Sequence, residues 1–558
     1  MGPASPVITI LSHSFSSGFL AALLLVVASS TAKTTGRSGP CVDTATSSAN
    51  EQRGVYFQKK AYDGARRPLP TFEACRSDLP TPILEDDTAL VSMYWKCWQL
   101  AFQHLRKVRY GSPFVSDYID EAFNDNIFQW DTIFMVMFAR YAHNVFPAVQ
   151  SLDNFYCRQH VTGYICREIS ERTGEDFVYE GRKNTINPPL FSWAEVESFG
   201  VTGDRSRFAS VLPVLEKYVD WLNRDGNTVT ANGKEWERYG RRAGDSKHRL
   251  YWNTGLGSGM DNTPRGGNGW VDMSCQMVIQ YNNLAYMCDE LGLKDRATIN
   301  RMKSKEIADR INQWCWNPHD GYYYDVDNDG IQVKWKTAGT FWPLLAGVAD
   351  AAQANRLVEH LRDPKTFWRP VVFPTLAADQ KGYDPNGGYW LGGVWAPTNY
   401  MIIKGLQKYG YEDLASQATE KYLAAMANVY EKTGTVWENY APESFSPGKP
   451  AKGDFVGWSG CGPIALLIEN VLGFRCDGVD NRLTWHLRRT DRHGIQHLQF
   501  GNSTVSVVYD PPISSNARPT ITVTSDRPFE LVIVQHRIRT TYHLHAGTQR
   551  LTVRNVKE

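Results

Sequence analysis

The chain has 558 residues, of which 42% are hydrophobic and 21% are charged, so it can bury a large core and is longer than one average domain. Its formal net charge is +1, and acidic and basic residues are scattered along the sequence, which argues against a basic face for nucleic acid or for an anionic membrane. These quantities fit a compact enzyme with an accessory domain.

Residues 1–32 have the features of a signal peptide. An uncharged apolar run, Gly18–Ala28, precedes Ser30, Thr31 and Ala32, which are small residues that a signal peptidase accepts. The run is too short to span a bilayer comfortably. Since no Lys or Arg precedes it, an uncleaved anchor is the alternative. We predict cleavage near Ala32, a secreted or secretory-lumen location, and no stable membrane insertion after cleavage.

The sequence contains ten cysteines, and an oxidising compartment would let some of them pair. The first pairs expected are Cys41 with Cys75 and Cys157 with Cys166, which flank a turn. The alternative is that several cysteines, such as Cys275 within a helical pattern, are buried thiols. Connectivity does not follow from the sequence.

Residues 33–88 are rich in Ser, Thr, Gly, Pro and Arg, which predicts an arm that packs on the body of the protein. Apolar residues then recur at helical spacing, which predicts a mainly α-helical domain over residues 89–473. Examples of this spacing are Val91, Tyr94, Trp98, Phe102 and Leu105, and Leu414, Ala418, Tyr422 and Met426, with Gly434 as a helix stop. Long aromatic-rich loops separate the helical stretches, and such loops usually carry function. We expect a toroid of helical hairpins around a central pocket.

Residues 474–558 are predicted to form a small β-sandwich, because the hydrophobic period changes to two. Alternating pairs are Val505 and Val507, Ile521 and Val523, Leu531 and Ile533, and Leu551 and Val553. Turn residues such as Pro511 and Pro512 separate them. One sequon, Asn502-Ser503-Thr504, is a candidate glycan site on a eukaryotic secretory route.

Signatures of several enzyme classes are missing from the sequence. It has no His-Glu-x-x-His zinc motif, no Gly-x-Ser-x-Gly nucleophile elbow and no Gly-x-x-x-x-Gly-Lys-Ser/Thr phosphate loop. The segment from Asp325 to Gly330 resembles the start of a calcium loop. However, Lys336 stands at the twelfth position, where a bidentate Glu is needed, so we predict a hairpin turn and no metal.

Carboxylates embedded in aromatic loops remain as the candidate chemistry. Cleavage of a glycosidic bond needs two carboxyl groups, one protonated to donate to the leaving oxygen and one ionised. Aromatic faces complete such sites by covering sugar rings, while amides bond to the hydroxyls. Aromatic residues make up 12% of the chain, which fits such a site, although a large core also needs aromatic residues.

Several short segments carry these residue types between about residues 120 and 470. They are Gln129–Thr132, Gly163–Glu168, Asn187–Pro189, Ser258–Arg265 with Trp270–Cys275, Gly388–Trp395 with Asn399 and Tyr400, Trp437–Tyr440 and Gly457–Ser459. Together and in order they resemble elements of glycoside hydrolase family 63, and are similar, though less closely, to those of the trehalases in the same clan. The resemblance implies an (α/α)6 barrel over residues 89–473, an inverting mechanism on an α-linked sugar, and no required cofactor.

Two departures from the family narrow the expected substrate. The sequence lacks the large N-terminal β-domain of the eukaryotic processing glucosidases, and Leu391 stands where the family has Arg. A role in N-glycan processing is therefore not expected. The layout is closer to small bacterial-type relatives that act on glucosyl or mannosyl glycerate or on short oligosaccharides, so we predict release of a terminal α-linked glucose or mannose from a small carbohydrate.

The resemblance also implies roles for individual residues. Asp261 corresponds to the general acid and Glu438 to the general base; taken alone they would be a turn aspartate and a surface glutamate, and Glu443 is the rival base. The substrate-binding residues implied are Trp130, Asp131, Arg167, Glu168, Arg265, Trp390, Trp395 and Trp458.

Other functions stay open at this point. A catalytically silent carbohydrate-binding protein on the same scaffold is one alternative, which the presence of both Asp261 and Glu438 disfavours. A trehalase is another. A polysaccharide lyase on a helical toroid would instead need a Tyr/His or Arg pair beside a cleft for an acidic sugar.

Overall fold

A computed structural model describes residues 52–59, 68–108, 111–121, 123–179, 182–183, 186–223, 228–231, 234–238, 240–241, 248–253, 255–267, 269–327, 329–514, 517–535 and 538–553. The predicted signal peptide and Cys41 lie outside these ranges. From Gln52 onward the chain forms one compact unit.

The longer helices lie between Thr88 and Thr433, where the apolar periodicity predicts them. They are α1 Thr88–Gln103, α2 Gln129–Ala139, α3 Phe191–Thr202, α4 Ser206–Leu222, α5 Val271–Glu290, α6 Lys294–Trp314, α7 Ala351–Arg362, α8 Ala396–Lys408 and α9 Glu412–Thr433. Shorter helices are Phe72–Cys75, Asp153–Tyr156, Trp342–Ala346, the 3-10 turns Arg76–Asp78, Arg140–Ala142, Val149–Leu152, Ala338–Phe341 and Trp458–Cys461, and the π-helix Gly462–Val471. The chain is thus mainly helical up to the π-helix.

Local sequence explains where several helices begin and end. Helix α7 begins with a capping box, in which the Asp350 side chain accepts from the Gln353 amide and the Gln353 side chain bonds back to Asp350. Helix α9 ends at Gly434, as predicted, with φ of 73°. Every residue of α2 is buried, so this helix runs through the interior and carries its first turn, with Asp131, into the core.

The chain also forms two sheets, and all but one of their strands follow the helices in sequence. Their strands are β1 Thr81–Leu84, β2 Phe474–Asp477, β3 Arg482–His486, β4 His493–Phe500, β5 Ser503–Asp510, β6 Thr520–Ser525, β7 Phe529–Gln535, β8 Ile538–Leu544 and β9 Gly547–Thr552. One sheet has the order β1-β4-β5-β6-β9 and the other β2-β3-β7-β8, in which β3 and β7 run parallel. Strand β1 comes from the predicted arm and pairs antiparallel with β4, with Leu84 opposite His493.

Ring contacts and hydrogen bonds join these sheets to each other and to the helices. The rings of Phe500 and Phe529, one from each sheet, lie 5.9 Å apart. The amide of Gly478 donates to the carbonyl of Gly200 at 2.7 Å, at the end of α3. A Cβ on Gly478 would stand 2.3 Å from the carbonyl oxygen of Val201, so only glycine permits this approach.

Two-stranded ribbons carry the loops between helices. Their pairs are Leu105–Arg106 with Tyr118–Ile119, Asn126–Phe128 with Glu168–Ser170, Val178–Tyr179 with Arg182–Lys183, Thr228–Ala231 with Lys234–Arg238, Gly240–Arg241 with Tyr251–Trp252, Trp316–Asn317 with Tyr322–Tyr323, and Asp325–Val326 with Gln332–Val333. The last pair confirms the predicted hairpin. Its turn is closed by the Asp327 carboxylate, which accepts the amides of Asp329 and Ile331, each at 2.9 Å.

No disulfide bond joins any of the nine described cysteines. The predicted pairing of Cys157 with Cys166 is wrong, because the Cys157 thiol points to main-chain carbonyls, 3.3 Å from that of Asn154 and 3.6 Å from that of Pro113. Burial raises the pKa of the Cys157 thiol to about 12. Cys275 is fully buried, which matches the alternative of a structural thiol. Across the described ranges, no helix has both the length and the apolar content to cross a membrane.

Candidate active site

The loop that carries Asp261 lies against the first turn of α2. Gly259, with φ of 74°, approaches the Trp130 ring so closely that a Cβ would stand 2.8 Å from it. Only glycine combines this backbone conformation with this contact. The loop therefore brings Asp261 next to the end of α2 that carries Asp131.

Asp261 is bonded by a residue that the sequence analysis did not single out. The hydroxyl of Tyr389 donates to Asp261 Oδ2 at 3.1 Å. Burial raises the pKa of Asp261 to about 6, against the opposing effects of the Arg167 charge and the Tyr389 hydrogen bond. A carboxyl group with this pKa exchanges its proton near neutral pH.

Tyr389 is held in a strained backbone conformation, with φ of 65°. Its neighbours Gly387 and Gly388 also have positive φ, and its carbonyl accepts the indole N–H of Trp395 at 3.0 Å. In the sequence, the feature that points to Tyr389 is its position beside Trp390, in the segment Gly388–Trp395 that was selected for its tryptophans. Its left-handed conformation, which turns the ring toward Asp261, has no such signal.

Two side chains next to Asp261 fasten its loop to the loop of Tyr389. Asn262 accepts the Trp390 amide at 2.8 Å and donates to the Gly388 carbonyl at 3.1 Å. The Thr263 hydroxyl donates to the Trp390 carbonyl at 3.1 Å. Asp261 and Tyr389 are therefore fixed as one unit.

Glu438 lies on a separate segment and is only 8% exposed. Its Oε2 accepts the Lys452 amide at 3.1 Å, and its carbonyl accepts the indole N–H of Trp458 at 2.9 Å. Burial raises the pKa of Glu438 to about 7, and the charge of Asp261 adds to this rise. The two carboxyl groups predicted as the catalytic pair thus lie within one electrostatic site.

Asp131 and Trp130 offer further polar groups in the same site. Burial raises the pKa of Asp131 well above its ordinary value, the charges of Glu438 and Asp261 add to it, and Arg167 opposes it. Asp131 Oδ1 and the Trp130 indole N–H are both buried, and no described atom forms a hydrogen bond with either. Buried groups of this kind are usually satisfied, so they are candidates for bonds to a ligand.

Three of the predicted tryptophans form an aromatic wall. The rings of Trp390 and Trp395 stack in parallel at 3.9 Å, and Trp395 lies 5.6 Å from Trp458. All three rings are buried: Trp395 fully, and Trp390 and Trp458 with 2% and 5% exposed. The wall adjoins the carboxyl groups, because Trp458 bonds to the main chain of Glu438.

Arg167 and Glu168 lie at the edge of the cluster. Arg167 donates to the Leu256 carbonyl at 3.0 Å, in the Asp261 loop, and lies 3.5 Å from Glu168. Glu168 is buried and accepts from the Asn126 amide group at 3.0 Å. Arg167 is the cation whose charge reaches both Asp131 and Asp261.

Arg265 and Glu443 are engaged elsewhere. Arg265 forms ion pairs with Asp272 and Asp325. Both oxygens of Glu443 accept from the Arg369 guanidinium at 2.7 Å. These hydrogen bonds lower the pKa of Glu443, so it is poorly suited to hold a proton at neutral pH. In the part of the chain that the structure describes, no group of three His, Cys, Asp or Glu side chains is arranged to hold a metal ion.

Comparison with known proteins gives one match to a protein family. The model of the mannosylglycerate hydrolase MGH1-like glycoside hydrolase domain matches residues 124–459. A Borreliella burgdorferi protein described as uncharacterized is 24% identical over 397 residues, which cover 69% of this chain and 80% of that protein. A periplasmic trehalase of Xanthomonas axonopodis pv. citri is 25% identical over 402 residues, which cover 61% of this chain and 66% of the trehalase.

A solved structure shares the fold. The glycoside hydrolase family 63 mannosylglycerate hydrolase of Thermus thermophilus, in complex with Tris and D-glycerate, superposes with a TM-score of 0.51. Its sequence is 17% identical, and the match covers 67% of this chain and 99% of that one.

Proposed function

The chain belongs to the family of mannosylglycerate hydrolase MGH1-like glycoside hydrolases, and from this premise we propose that it releases a terminal α-linked glucose or mannose from a small glycoside or oligosaccharide with inversion. The observation that carries the proposal is the pairing of Asp261 and Glu438. Both carboxyl groups are surrounded by protein, their pKa values are about 6 and 7, and each lies on a separate segment. Between these values the site holds one proton, mostly on Glu438 because its pKa is the higher, and the reactive form, with Asp261 protonated and Glu438 ionised, is the minor of the two one-proton states.

In the proposed reaction Asp261 protonates the glycosidic oxygen as its bond to the anomeric carbon breaks. Glu438 removes a proton from a water molecule, and the water oxygen bonds to the anomeric carbon from the opposite face. After these two proton transfers Asp261 is ionised and Glu438 is protonated. Solvent exchange then restores both groups.

Tyr389 gives the acid a defined orientation in this scheme. Because its hydroxyl donates to Asp261 Oδ2, the transferable proton is carried by Oδ1. Asp131 and Trp130 supply a free acceptor and a free donor for sugar hydroxyls, and Arg167 and Glu168 extend this polar side. Trp390, Trp395 and Trp458 form the apolar wall.

Three further proposals concern the whole protein. The helices of residues 89–473 form an (α/α)6 barrel and the strands of residues 474–558 a β-sandwich, which the shared fold with the Thermus enzyme supports for the helical part. The protein is exported after cleavage near Ala32, as the apolar leader and the periplasmic location in the name of the Xanthomonas relative suggest. A trehalase is the second candidate function, on the basis of that relative.

Substrate and stereochemistry can be tested together. We expect a panel of mannosylglycerate, glucosylglycerate, trehalose and short α-linked oligosaccharides to contain a compound from which the protein releases glucose or mannose. Proton NMR in the first minutes should show the β-anomer before mutarotation, because an inverting site holds its carboxyl groups about 6.5–9.5 Å apart around a water molecule. Initial release of the α-anomer from a glycosyl glycerate would contradict inversion, whereas trehalose should give equal amounts of α- and β-glucose because its leaving glucose keeps the α configuration. Turnover of trehalose alone would select the second candidate.

A further inference from the structure

Arg265 lies four residues after Asp261, and its guanidinium is enclosed. Nη2 pairs with Asp272 Oδ2, and Nη1 lies 3.7 Å from Asp325 Oδ2. One face of the group lies over the Trp270 ring, 4.6 Å from its centre. The Nε donor is buried with no hydrogen-bond partner among the described residues, and 11% of the side chain is exposed. The two Nη groups of Arg265 are therefore committed to carboxylates of the scaffold.

The two carboxylates that hold Arg265 belong to different elements. Asp272 lies in the first turn of α5, and Asp325 begins the hairpin that follows α6. Asp325 Oδ1 also accepts the Val271 amide at 2.9 Å, which links the hairpin to the start of α5. A single guanidinium thus ties the Asp261 loop to two independent parts of the scaffold.

The other side of the same loop is fastened differently, by Asn262 and Thr263 to the segment of Tyr389. Between these two attachments the loop has little freedom. A Cβ on Gly339 would stand 2.9 Å from the side chain of Met260 and 3.2 Å from Asp272, so Met260 and Asp272 are packed against the same backbone. The position of Asp261 depends on contacts on both sides.

We propose that Arg265 is a positioning residue, which holds the Asp261 carboxyl in place through Asp272 and Asp325 and does not contact the sugar. The inference rests on the proposed function, in which Asp261 is the general acid. It replaces the direct substrate contact that the family resemblance implies for Arg265. A displacement of about 1 Å in a catalytic group can lower the rate about 100-fold, so loss of Arg265 affects the chemical step and spares ground-state binding.

The test compares Arg265→Met and Arg265→Lys with Arg492→Met. Arg492 also pairs with two carboxylates, Glu85 at 2.7 Å and Asp510 at 2.9 Å, but it is 42% exposed and lies just before strand β4. We expect Arg265→Met to lower kcat about 10- to 100-fold while KM stays within about twofold. An activated aryl glycoside, which needs less help from an acid, should recover part of the loss. Arg265→Lys should lose less, and Arg492→Met should keep both constants.

Asp272→Asn, measured in the same series, keeps the test decisive if Arg265→Met does not fold. It weakens the tether without removing any donor from the pocket, and it should reproduce the fall in kcat. A raised KM with normal kcat in Arg265→Met, or normal kcat in folded Asp272→Asn, would overturn the positioning role. Asp261→Asn distinguishes failure of the Arg265 proposal from failure of the proposed function. If Asp261→Asn is inactive while Arg265→Met has normal activity, only the positioning role of Arg265 is wrong. If Asp261→Asn is active, the proposed function itself is wrong.

Discussion

Glu438 and Glu443 lie five residues apart in the sequence but have opposite surroundings. We expect Glu438→Gln and Asp261→Asn to fold normally and to lose about two to four orders of magnitude in turnover, the range for removal of an acid or a base. Glu443→Gln is the matched control. It breaks an ion pair that is one-quarter exposed, so it should cost about 1 kcal/mol of unfolding free energy and little activity.

Steady-state kinetics and chemical denaturation of the three variants provide the measurement. An activated aryl glycoside should partly restore Asp261→Asn but not Glu438→Gln, because the acid assists departure of the leaving group. Equal recovery of both variants, or a larger loss in Glu443→Gln than in Glu438→Gln, would show that the base is misassigned.

The pKa values of the two carboxyl groups predict a narrow pH optimum. With pKa values of about 6 for Asp261 and about 7 for Glu438, the state with one proton is most populated between them, so kcat/KM should peak near pH 6.5. Activity should fall below pH 6, where both groups are protonated, and above pH 7, where both are ionised. Removing the Tyr389 hydroxyl in Tyr389→Phe takes away a hydrogen bond to the ionised acid, which raises the pKa of Asp261 and should move the low-pH limb upward. An unchanged limb would argue against this bond.

At the scale of single residues, the sequence analysis identified those that lie in short linear motifs. Asp261 and Glu438 were predicted because each lies inside a recognisable segment, and the structure brings them into one site. Tyr389 and Asn262 were missed because their roles depend on a left-handed backbone and on contacts between segments more than 120 residues apart. Arg265 was predicted to bind the sugar because it belongs to the motif. The motif does not reveal that carboxylates surround the Arg265 side chain.

Helix α2 contributes Trp130 and Asp131 to the site, and its Trp130 ring leaves no space for a side chain at position 259. Gly259→Ala would place a methyl group 2.8 Å from the Trp130 ring at a φ of 74°. We expect it to reduce kcat/KM at least tenfold, since the Asp261 loop must move away from α2. Gly434→Ala is the control, because Gly434 also has positive φ but no atom within 4 Å of the added Cβ. Similar activity in both variants would mean that backbone strain, and not the Trp130 contact, matters.

A buried ionic cluster joins α2 to its neighbours. Arg140, just after α2, pairs with Glu197 of α3 and Glu469 of the π-helix, and Glu469 also binds Lys404 of α8 at 2.8 Å. Burial opposes ionisation of Glu469, but the charges of Lys404 and Arg140 outweigh it and lower its pKa to about 2.

Glu469→Gln should therefore destabilise the fold by about 3–5 kcal/mol, since it takes the carboxylate away from Lys404 and leaves Arg140 with Glu197 alone. Because the folded pKa lies below the unfolded one, this contribution is present at neutral pH and is lost as the pH falls from about 4.5 toward 2. Urea denaturation of wild type and variant at pH 7 and pH 3 measures both effects. Glu359→Gln, at an exposed pair on α7, is the control. An equal difference at both pH values would contradict the assignment.

Periodicity predicted α1, α4 and α9 but gave less information about α2. Helices α4 and α9 have apolar stripes, so their core faces could be read from spacing alone. Helix α2 is buried on every side, and a helix without a polar face has no periodic signal. The C-terminal strands were predicted from their alternation, but β1 was assigned to an irregular arm because four residues with a proline give too short a pattern.

At the scale of the whole molecule, β1 joins the C-terminal sheet although it precedes the helices in the chain. We expect a fragment of residues 89–473 to be insoluble or unfolded, since it lacks both the sheet and β1, which packs beside α1. Co-expression of residues 33–473 with residues 474–558 should restore soluble protein, because it supplies β1 for pairing with β4. Circular dichroism and gel filtration measure the outcome. A folded, active 89–473 fragment would show that the sheets are dispensable.

The pairing of Thr81–Leu84 with His493–Gln496 also sets an order of events during synthesis. The first of these segments leaves the ribosome roughly 400 residues before the second, which at a typical elongation rate is a delay of about 20–80 s. During that interval β1 lacks its partner β4, and other nascent chains are present. Pro82 lies opposite Ile495 on this outer strand and has no amide hydrogen to offer a foreign strand. Pro82 is therefore one residue of β1 that opposes pairing with a foreign strand before β4 has been made.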